Sequence, residues 1–378
     1  YEPQRETLSL KPTEVRALTL TLNPRLGRVM LTITPDDAEL RVDGILQPLN
    51  RRNLDLPARP QTLLISKPGY ASSAQIITPQ PDFEQSLSIT LLTEAAAALA
   101  RIPEEIETSI GSRLRRILPG EVALGAPRRD RGGRGNEVQR TVRLSNPYYL
   151  GITEITNAQY AAYNPNHNPG VLGRTRLTTA NRPVVGLSWK EAIAFCNWLS
   201  DRESLPRAYE VSGDSFRLIT PRTEGYRLPT EAEWVRAGRY ADGTGPSRFP
   251  WGDALPPPES FANLADSAAM GLAPNIIADY ADGFRGPAPV GHFEANALGI
   301  FDLSGNVAEW THDRFSTARS TTVEVDWMGP ETGEVFVIRG SSFLTGTFSA
   351  LRWAYRDSGR EGRQDLGFRL ARDVSRGD

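Results

Sequence analysis

The sequence has 378 residues, enough for two or three domains and at least one sizeable hydrophobic core. Hydrophobic residues make up 39% and charged residues 23%, and no apolar run is long enough to span a bilayer. The 43 Lys and Arg against 45 Asp and Glu give a net charge of −2, so we expect no nucleic-acid partner, since such binding uses a broad positive field.

Cysteine and histidine are scarce in this chain. The single cysteine, Cys196, excludes an intrachain disulfide and a cysteine-only metal cage. His167, His292 and His312 are far apart in sequence and match no zinc-ligand spacing, so any metal site is expected to use oxygen ligands. The chain begins with Tyr1 and shows no signal peptide, so we expect a longer natural protein.

An internal repeat occupies the first 91 residues. Residues 1–22 align without gaps with residues 70–91, and both copies end in alternating runs, Leu18–Leu22 and Leu87–Leu91, that predict strands. We therefore interpret residues 1–22 as the last part of a truncated repeat and residues 23–92 as a complete one.

The complete repeat contains short β-forming runs separated by turn signals such as Asp43-Gly44 and Pro68-Gly69, which predicts a small antiparallel β-sandwich. Its segments Ile33–Gly44 and Lys67–Tyr70 resemble the PEGA domain, a β-sandwich usually repeated in bacterial envelope proteins. This resemblance implies a spacer or adhesion module in the periplasm or at the cell surface, anchored to the membrane by an upstream segment.

The chain changes character after this repeat. Residues 93–116 are first apolar and then charged, and predict a partly helical connector. Residues 117–373 are rich in Gly, Pro, Trp and Asn, with helical patterns only at Thr156–Tyr163, Trp189–Ser200 and Pro229–Gly238. Something other than regular secondary structure must order such long loops.

Acidic and amide side chains cluster before residue 310. Asp302 and Glu309 flank a turn in which Gly305 and Asn306 can present backbone carbonyls. Mixed carboxylate and carbonyl oxygens are the ligands that Ca²⁺ prefers. Because Asp and Asn in turns also bond to their own backbone, the residues alone leave an ion site and a hydrogen-bonded turn as alternatives.

Residues 117–373 contain seven distinct motifs: Leu150–Tyr160, Arg182–Trp189, Gly225–Trp234, Phe249–Gly252, Gly305–Trp310, Ile338–Phe343 and Leu366–Arg369. In this order they resemble the formylglycine-generating enzyme, or sulfatase-modifying factor, family. The resemblance implies an α+β fold related to the C-type lectins, with much irregular structure and two structural calcium ions that order its loops.

The resemblance also implies which residues bind calcium, two side chains and two carbonyls at each site. The ligands of the first site are the side chains of Asn263 and Asp282 and the carbonyls of Leu264 and Phe284. Those of the second are the side chains of Asp302, where the family often has Asn, and Glu309, and the carbonyls of Gly305 and Val307. Ca²⁺ is therefore the expected cofactor.

The catalytic signature of that family is missing. Its enzymes oxidise a substrate cysteine with O₂ at copper bound by two cysteines, whereas here Thr345 takes the first position and Ser349 or Ala350 the second. Hydroxyl groups do not replace the thiolates that Cu(I) needs. Cys196 lies on a predicted amphipathic helix and is interpreted as a core thiol. No catalytic residue is assigned.

Aromatic, hydroxyl and Arg side chains alternate through Phe343–Asp357, a mixture typical of recognition surfaces. The variable proteins of diversity-generating retroelements display changeable contact residues in this segment of a similar fold. The alternative is that Phe343, Leu351 and Trp353 are core and the rest is a solvated loop. The predicted ligand contacts are Thr345, Thr347, Phe348, Ser349, Trp353, Tyr355 and Arg356.

These observations predict a non-catalytic, calcium-stabilised recognition protein of the bacterial envelope that binds a protein or a glycan. One alternative is an oxidoreductase of the same superfamily with a cysteine-independent mechanism, and another is a regulatory partner in a secretion or signalling complex. The Gly-rich stretch Arg131–Gly135 lacks the strand and helix that flank a phosphate-binding loop, and is interpreted as a mobile loop.

Overall fold

The computed structural model describes residues 1–374 except 10, 16, 20–22, 51, 214 and 244–246. The chain divides into two compact units, Tyr1–Ile102 and Pro103–Asp378. The predicted strand Leu18–Leu22 lies partly outside the described residues, and its described residues, Leu18 and Thr19, are not in a strand. No described strand pairs with this segment, and a strand needs such a neighbour to satisfy its backbone groups.

The first unit contains one mixed sheet and one antiparallel sheet around one core. The predicted antiparallel sandwich is corrected in one pair, because residues 28–34 pair in parallel with residues 84–90. Every second residue of its first strand is buried, because alternate side chains of a strand point to opposite faces. The sheets have the orders β4-β1-β7 and β3-β2-β5-β6. The strands are β1 (Leu26–Thr34), β2 (Glu39–Val42), β3 (Ile45–Gln47), β4 (Asn53–Pro57), β5 (Gln61–Ser66), β6 (Ser73–Ile77) and β7 (Glu84–Thr90). The PEGA assignment stays a prediction.

The predicted connector, residues 93–116, has a different structure in its two halves. Its first half is the helix α1 (Glu94–Arg101) of the first unit. Its second half contains the strands β8 (Glu105–Glu107) and β9 (Arg113–Ile117), which pair with each other in the second unit. These strands are short and charged, and only Leu114 and Ile117 of β9 are buried. The sequence therefore lacks the alternation of apolar and polar residues that predicts a strand.

The described residues of the second unit form short strands and three α-helices. Its largest sheet has the order β17-β23-β12-β9-β8, and a four-stranded sheet has the order β21-β20-β18-β22. Among the described residues, no helix is long and apolar enough to cross a membrane. The remaining elements are β10 (Gly120–Leu124), β11 (Arg140–Leu144), β12 (Tyr148–Gly151), α2 (Asn157–Ala161), β13 (Val171–Leu172), β14 (Thr175–Arg176), α3 (Trp189–Arg202), β15 (Tyr209–Ser212), β16 (Ser215–Leu218), β17 (Tyr226–Arg227), α4 (Glu231–Arg239), β18 (Ala308–Arg314), β19 (Glu324–Val325), β20 (Phe336–Arg339), β21 (Asp357–Gly359), β22 (Leu366–Gly367) and β23 (Ala371–Asp373).

The three predicted helices are confirmed, and each begins with a capping box. Thr156, Ser188 and Thr230 accept the N–H of the third helical residue, whose Gln or Glu side chain accepts the cap's own N–H. By contrast, the described residues between α4 and β18 contain only a single 3-10 turn at Ser267–Ala269. This irregular segment carries most of the predicted calcium ligands.

A close approach of two loops makes Gly225 sensitive to substitution. A Cβ at this position would lie 2.0 Å from the carbonyl oxygen of Pro206. Gly225→Ala should therefore destabilise the protein by about 2 kcal/mol or more, because backbone has to shift. Gly135→Ala is the matched control, since a Cβ there meets no atom within 4 Å. Urea unfolding measures both variants, and equal midpoints would contradict this packing.

Candidate functional site

A buried ion pair lies beneath the predicted calcium segment. The guanidinium of Arg369 donates from Nε and Nη2 to the two carboxylate oxygens of Glu309 at 2.7 and 2.6 Å. It also donates to the carbonyl oxygens of Gly151 and Phe301, both at 2.9 Å. The indole N–H of Trp234 donates to Glu309 as well, at 2.9 Å. Both oxygens of Glu309, a predicted calcium ligand, thus accept hydrogen bonds within the protein.

Asp302, the other side chain of the predicted second site, is only 8% exposed. Its Oδ2 accepts the N–H of Gly291 at 2.7 Å, whereas its buried Oδ1 has no hydrogen-bond partner. Burial raises the pKa of this carboxyl group, against the opposing effect of the Gly291 hydrogen bond. Gly305 and Val307 are buried in the same turn, before β18. The four predicted ligands are therefore close in sequence, but Glu309 faces Arg369.

The predicted first site is built around Asp282 and Asn263. The carboxylate of Asp282 accepts the backbone N–H groups of Leu264 and Phe284, each at 2.8 Å, so these three predicted ligands do lie together. Burial raises the pKa of Asp282 to about 6. The amide nitrogen of Asn263 donates to the Gly286 carbonyl at 3.0 Å, which leaves its buried Oδ1 without a partner.

Three buried acceptor atoms in this region have no donor: Oδ1 of Asn263, Oδ1 of Asp302 and Oε2 of Glu154. An unsatisfied buried acceptor costs about 1–3 kcal/mol, and a hard cation would relieve that cost. Among the described residues, no three acidic, His or Cys side chains converge on one metal position. The residues therefore fit a calcium ion only with mixed carboxylate, amide and carbonyl ligands, as the resemblance implies, and this assignment stays a prediction.

Sequence reasoning missed Glu154. This residue follows β12, is fully buried, and accepts the amide N–H of Asn306 at 3.1 Å. The sequence offered one signal, because Glu154 is the only charged residue of the Leu150–Tyr160 motif. A carboxylate in such a segment needs a polar partner if it is buried.

A cavity of about 270 Å³ adjoins the residues of both predicted sites. Asn263, Asp302 and Gly305 line it on one side, and Trp353 lines it on another. Trp353 is 8% exposed, and its ring packs edge-on against Trp234 with 5.9 Å between the centroids. Trp353 is therefore a buried residue that lines this cavity, and its role as a ligand contact stays a prediction.

Arg356 is also buried rather than displayed. Its Nε and Nη2 donate to the two carboxylate oxygens of Glu231 at 2.7 and 2.8 Å. Glu231 lies in the first turn of α4, and the pair is one of several buried Arg–carboxylate contacts. This predicted ligand contact is therefore corrected to a structural ion pair. The other five, from Thr345 to Tyr355, are half-buried.

The predicted mobile loop lies across this half-buried surface. The guanidinium of Arg131 stacks 4.8 Å from the ring centroid of Phe348, and that of Arg134 lies 4.7 Å from the ring centroid of Tyr355. Arg134 also donates to the hydroxyl of Ser349 at 3.2 Å. The loop thus covers three of the predicted contacts and adds its own arginines to the surface.

A buried arginine holds this loop in place. Arg352 donates to the Asp130 carboxylate at 2.9 Å, to the Gly132 carbonyl at 2.7 Å, and to the Glu137 carboxylate. The interpretation of Arg131–Gly135 as a mobile loop is therefore corrected. Composition alone could not find these contacts, because Glu137 and Arg352 are 215 residues apart in sequence.

Hydroxyl groups surround the position that the resemblance assigns to the first copper ligand. Oγ1 of Thr345 accepts the N–H of Ser342 at 3.0 Å, and the hydroxyl of Ser342 donates to Asp365 at 2.9 Å. Cys196 lies elsewhere, fully buried on α3, and burial raises the pKa of its thiol. A buried thiol with a raised pKa is a poor nucleophile and a poor metal ligand.

The profile of the sulfatase-modifying factor enzyme 1-like domain matches residues 101–374. A formylglycine-generating enzyme of Thermomonospora curvata is 34% identical over 168 residues, which are 43% of this chain and 45% of that enzyme. The "inactive C-alpha-formylglycine-generating enzyme 2" of Bos taurus is 30% identical over 202 residues, 51% of each chain.

The fold of variable protein 1 of Treponema denticola is similar, with a TM-score of 0.55 and 25% identity. The similarity covers 72% of this chain and all of that one. The chain spans about half the length of the curated relatives it matches.

A titratable carboxylate lies beneath the Arg356–Glu231 pair. Asp313 is buried on β18, where its Oδ2 accepts the N–H of Glu231 at 2.6 Å and its Oδ1 has no partner. Burial, and then the nearby Glu231 carboxylate, raise the pKa of Asp313 to about 8.

This shift predicts a pH dependence of stability. The Asp313 carboxyl ionises near 3.8 in the unfolded chain and near 8 in the folded chain, so the folded chain binds more protons between these values. Asp313 therefore makes the free energy of unfolding fall as pH rises through this window, by at most about 1.4 kcal/mol per pH unit. Asp313→Asn keeps an acceptor for the Glu231 N–H and should remove this contribution. Urea unfolding across the window tests it, and parallel profiles for both proteins would contradict it.

Proposed function

Since this chain belongs to the sulfatase-modifying factor enzyme 1-like family, we propose that it is a recognition protein without oxidase activity. In this proposal, two calcium ions stabilise the second unit, whose C-terminal segment binds a protein or a glycan at the surface of a bacterial cell or in its periplasm. The observation that carries the proposal is the combination of a matched family domain with Thr345, and either Ser349 or Ala350, at the positions where the resemblance places the two copper-binding cysteines.

The contacts of those positions support a loss of copper chemistry. Thr345 belongs to a hydroxyl network with Ser342 and Asp365, which offers only hard oxygen atoms to a metal. Cu(I) prefers thiolate and thioether ligands, and such a network does not supply them. The relative in Bos taurus, named inactive, supports the idea that this scaffold persists without the enzymatic activity.

The chemistry of the surface supports recognition. Thr345, Thr347 and Phe348 are half-buried, and the exposed arginines Arg131 and Arg134 stand beside them. Aromatic and Arg side chains bury large areas and form directional contacts, which is why they dominate binding hot spots. Similarity to a protein named a variable protein supports the further proposal that these contacts differ between related copies.

Metal analysis tests the absence of oxidase chemistry. The purified chain should contain calcium, should lack stoichiometric copper or iron, and should not oxidise a peptidyl cysteine with O₂. The double variant Thr345→Cys with Ala350→Cys should gain Cu(I) binding, because it restores two thiolates to the scaffold, whereas Thr345→Ser should not.

Elemental analysis and an oxygen-consumption assay with a cysteine peptide supply the readouts. Stoichiometric copper or iron in the wild-type chain, or turnover of the peptide, would contradict the proposal and favour the cysteine-independent enzyme.

A further inference from the structure

An arginine at the end of β18 lacks the carboxylate partner that other enclosed arginines of the second unit have. Arg314 is half-buried. Burial lowers its pKa, and among the described residues no nearby charge opposes that effect. By contrast, the guanidinium groups of Arg227, Arg356 and Arg369 each donate to a carboxylate. A desolvated cation without a counter-ion is costly, so an anion at Arg314 would be stabilising.

The guanidinium of Arg314 has donors left for such an anion. A guanidinium carries five N–H groups. Among the described residues, its Nη1 donates to the Gly333 carbonyl at 3.1 Å and its Nη2 to the Phe216 carbonyl at 3.4 Å. Three N–H groups remain, and their planar arrangement matches the two oxygen atoms of a carboxylate.

Two aromatic rings hold this guanidinium in place. Its central carbon lies 4.6 Å from the ring centroid of Phe216 and 5.6 Å from that of Phe336. Phe336 in turn stacks on the buried ring of Trp189, with 3.8 Å between the centroids. Cation–π contacts orient an arginine but leave its charge in place. Arg314 is therefore positioned before a ligand arrives, which lowers the entropic cost of binding.

A cavity of about 450 Å³ is lined by Arg314. This volume is typical of small-molecule sites, which combine an apolar lining with a few polar groups. The apolar side chains of the lining are those of Phe216, Leu218, Met328, Pro330 and Phe336. Arg217 and Glu331 also line the cavity, but Arg217 already pairs with Glu210, and Glu331 is exposed.

A neighbouring cavity of about 550 Å³ is also lined by Arg314, but its chemistry differs. Charged residues of both signs line it, and two of them, Arg360 and Glu334, lie 3.4 Å apart as an ion pair. The smaller cavity is therefore the one that combines an unpaired cation with a largely apolar lining.

His312 adds a neutral donor to the smaller cavity. Burial, and then Arg227, lower the pKa of His312 to about 3, so its ring is uncharged at neutral pH. The Tyr209 hydroxyl accepts the Leu228 N–H at 3.1 Å, and its own proton is available for Nδ1 of His312 at 3.3 Å. This network assigns the ring proton to Nε2.

We propose that the cavity at Arg314 binds a small organic carboxylate with an apolar body. The carboxylate accepts from Arg314, and the apolar body packs against Phe216, Met328 and Pro330. One carboxylate matches the one unpaired cation, whereas a phosphate dianion would leave a negative charge in the cavity. The site is separate from the predicted contact surface, since no residue from 345 to 356 lines it.

Titration of the full chain with phenylacetate, followed by saturation-transfer NMR, tests this proposal. Phenylacetate should bind about tenfold or more tightly than phenylacetamide, which has the same ring but no charge. It should also bind more tightly than acetate, which lacks the apolar body. Both comparisons use the wild-type chain, so they do not depend on whether a variant folds.

Three variants locate the site. Arg314→Met removes the charge and should weaken phenylacetate binding by about tenfold or more. Met328→Trp fills the apolar part of the cavity and should weaken binding while Arg314 is kept. Arg360→Met is the matched control, because Arg360 lines the neighbouring cavity but not this one, and it should keep the wild-type affinity. Thermal unfolding shows which variants are folded.

Equal affinities of the wild-type chain for phenylacetate and phenylacetamide overturn this inference, and so does an unchanged affinity in folded Arg314→Met. Tighter binding of inorganic phosphate than of phenylacetate overturns the assignment of a carboxylate. None of these results bears on calcium, copper or the surface at Thr345, so the proposed function is tested separately.

Discussion

The buried pair of Arg369 and Glu309 is the interaction on which the second unit depends most. The guanidinium of Arg369 donates hydrogen bonds to the end of β12, to the loop at Phe301 and to Glu309 on β18. Glu309 also accepts the indole N–H of Trp234, which lies on α4. Breaking a buried pair leaves an uncompensated charge, which costs about 3–5 kcal/mol. Arg227 and Arg352 are also buried and donate hydrogen bonds to carboxylates, and the buried guanidinium of Arg339 lies 3.5 Å from Glu231. Charge networks therefore order loops that helices and strands do not.

The helices of this fold could be predicted from local sequence patterns. Contacts between residues far apart in sequence could not. The capping boxes at Thr156, Ser188 and Thr230 lie within four residues and mark their helices from sequence alone. The burial of Arg356 by Glu231 depends on groups 125 residues apart, and no periodicity encodes such a pair. For the same reason the motifs predicted an oxygen-rich turn at Asp302 but could not place Glu154 beside it.

The candidate site combines the domain of this family with hydroxyl or apolar side chains at the positions where the resemblance expects cysteines. The resemblance assigns the family's copper ligands to Thr345 and to Ser349 or Ala350. In this chain the hydroxyl of Thr345 accepts the N–H of Ser342, and Ala350 is buried. The loop held by Arg352 brings arginines to the same face. Family membership therefore fixes the architecture, while function follows from the few side chains that the scaffold displays.

We propose that oxygen-ligated divalent ions, and not a redox metal, complete this scaffold. Anomalous X-ray diffraction from crystals grown with calcium tests it most directly, because the signal locates and identifies each ion. We expect one peak beside Asn263 and Asp282, a second beside Asp302 and Gly305, and none at Thr345. A copper or iron peak beside Thr345, or the absence of both calcium peaks, would contradict it.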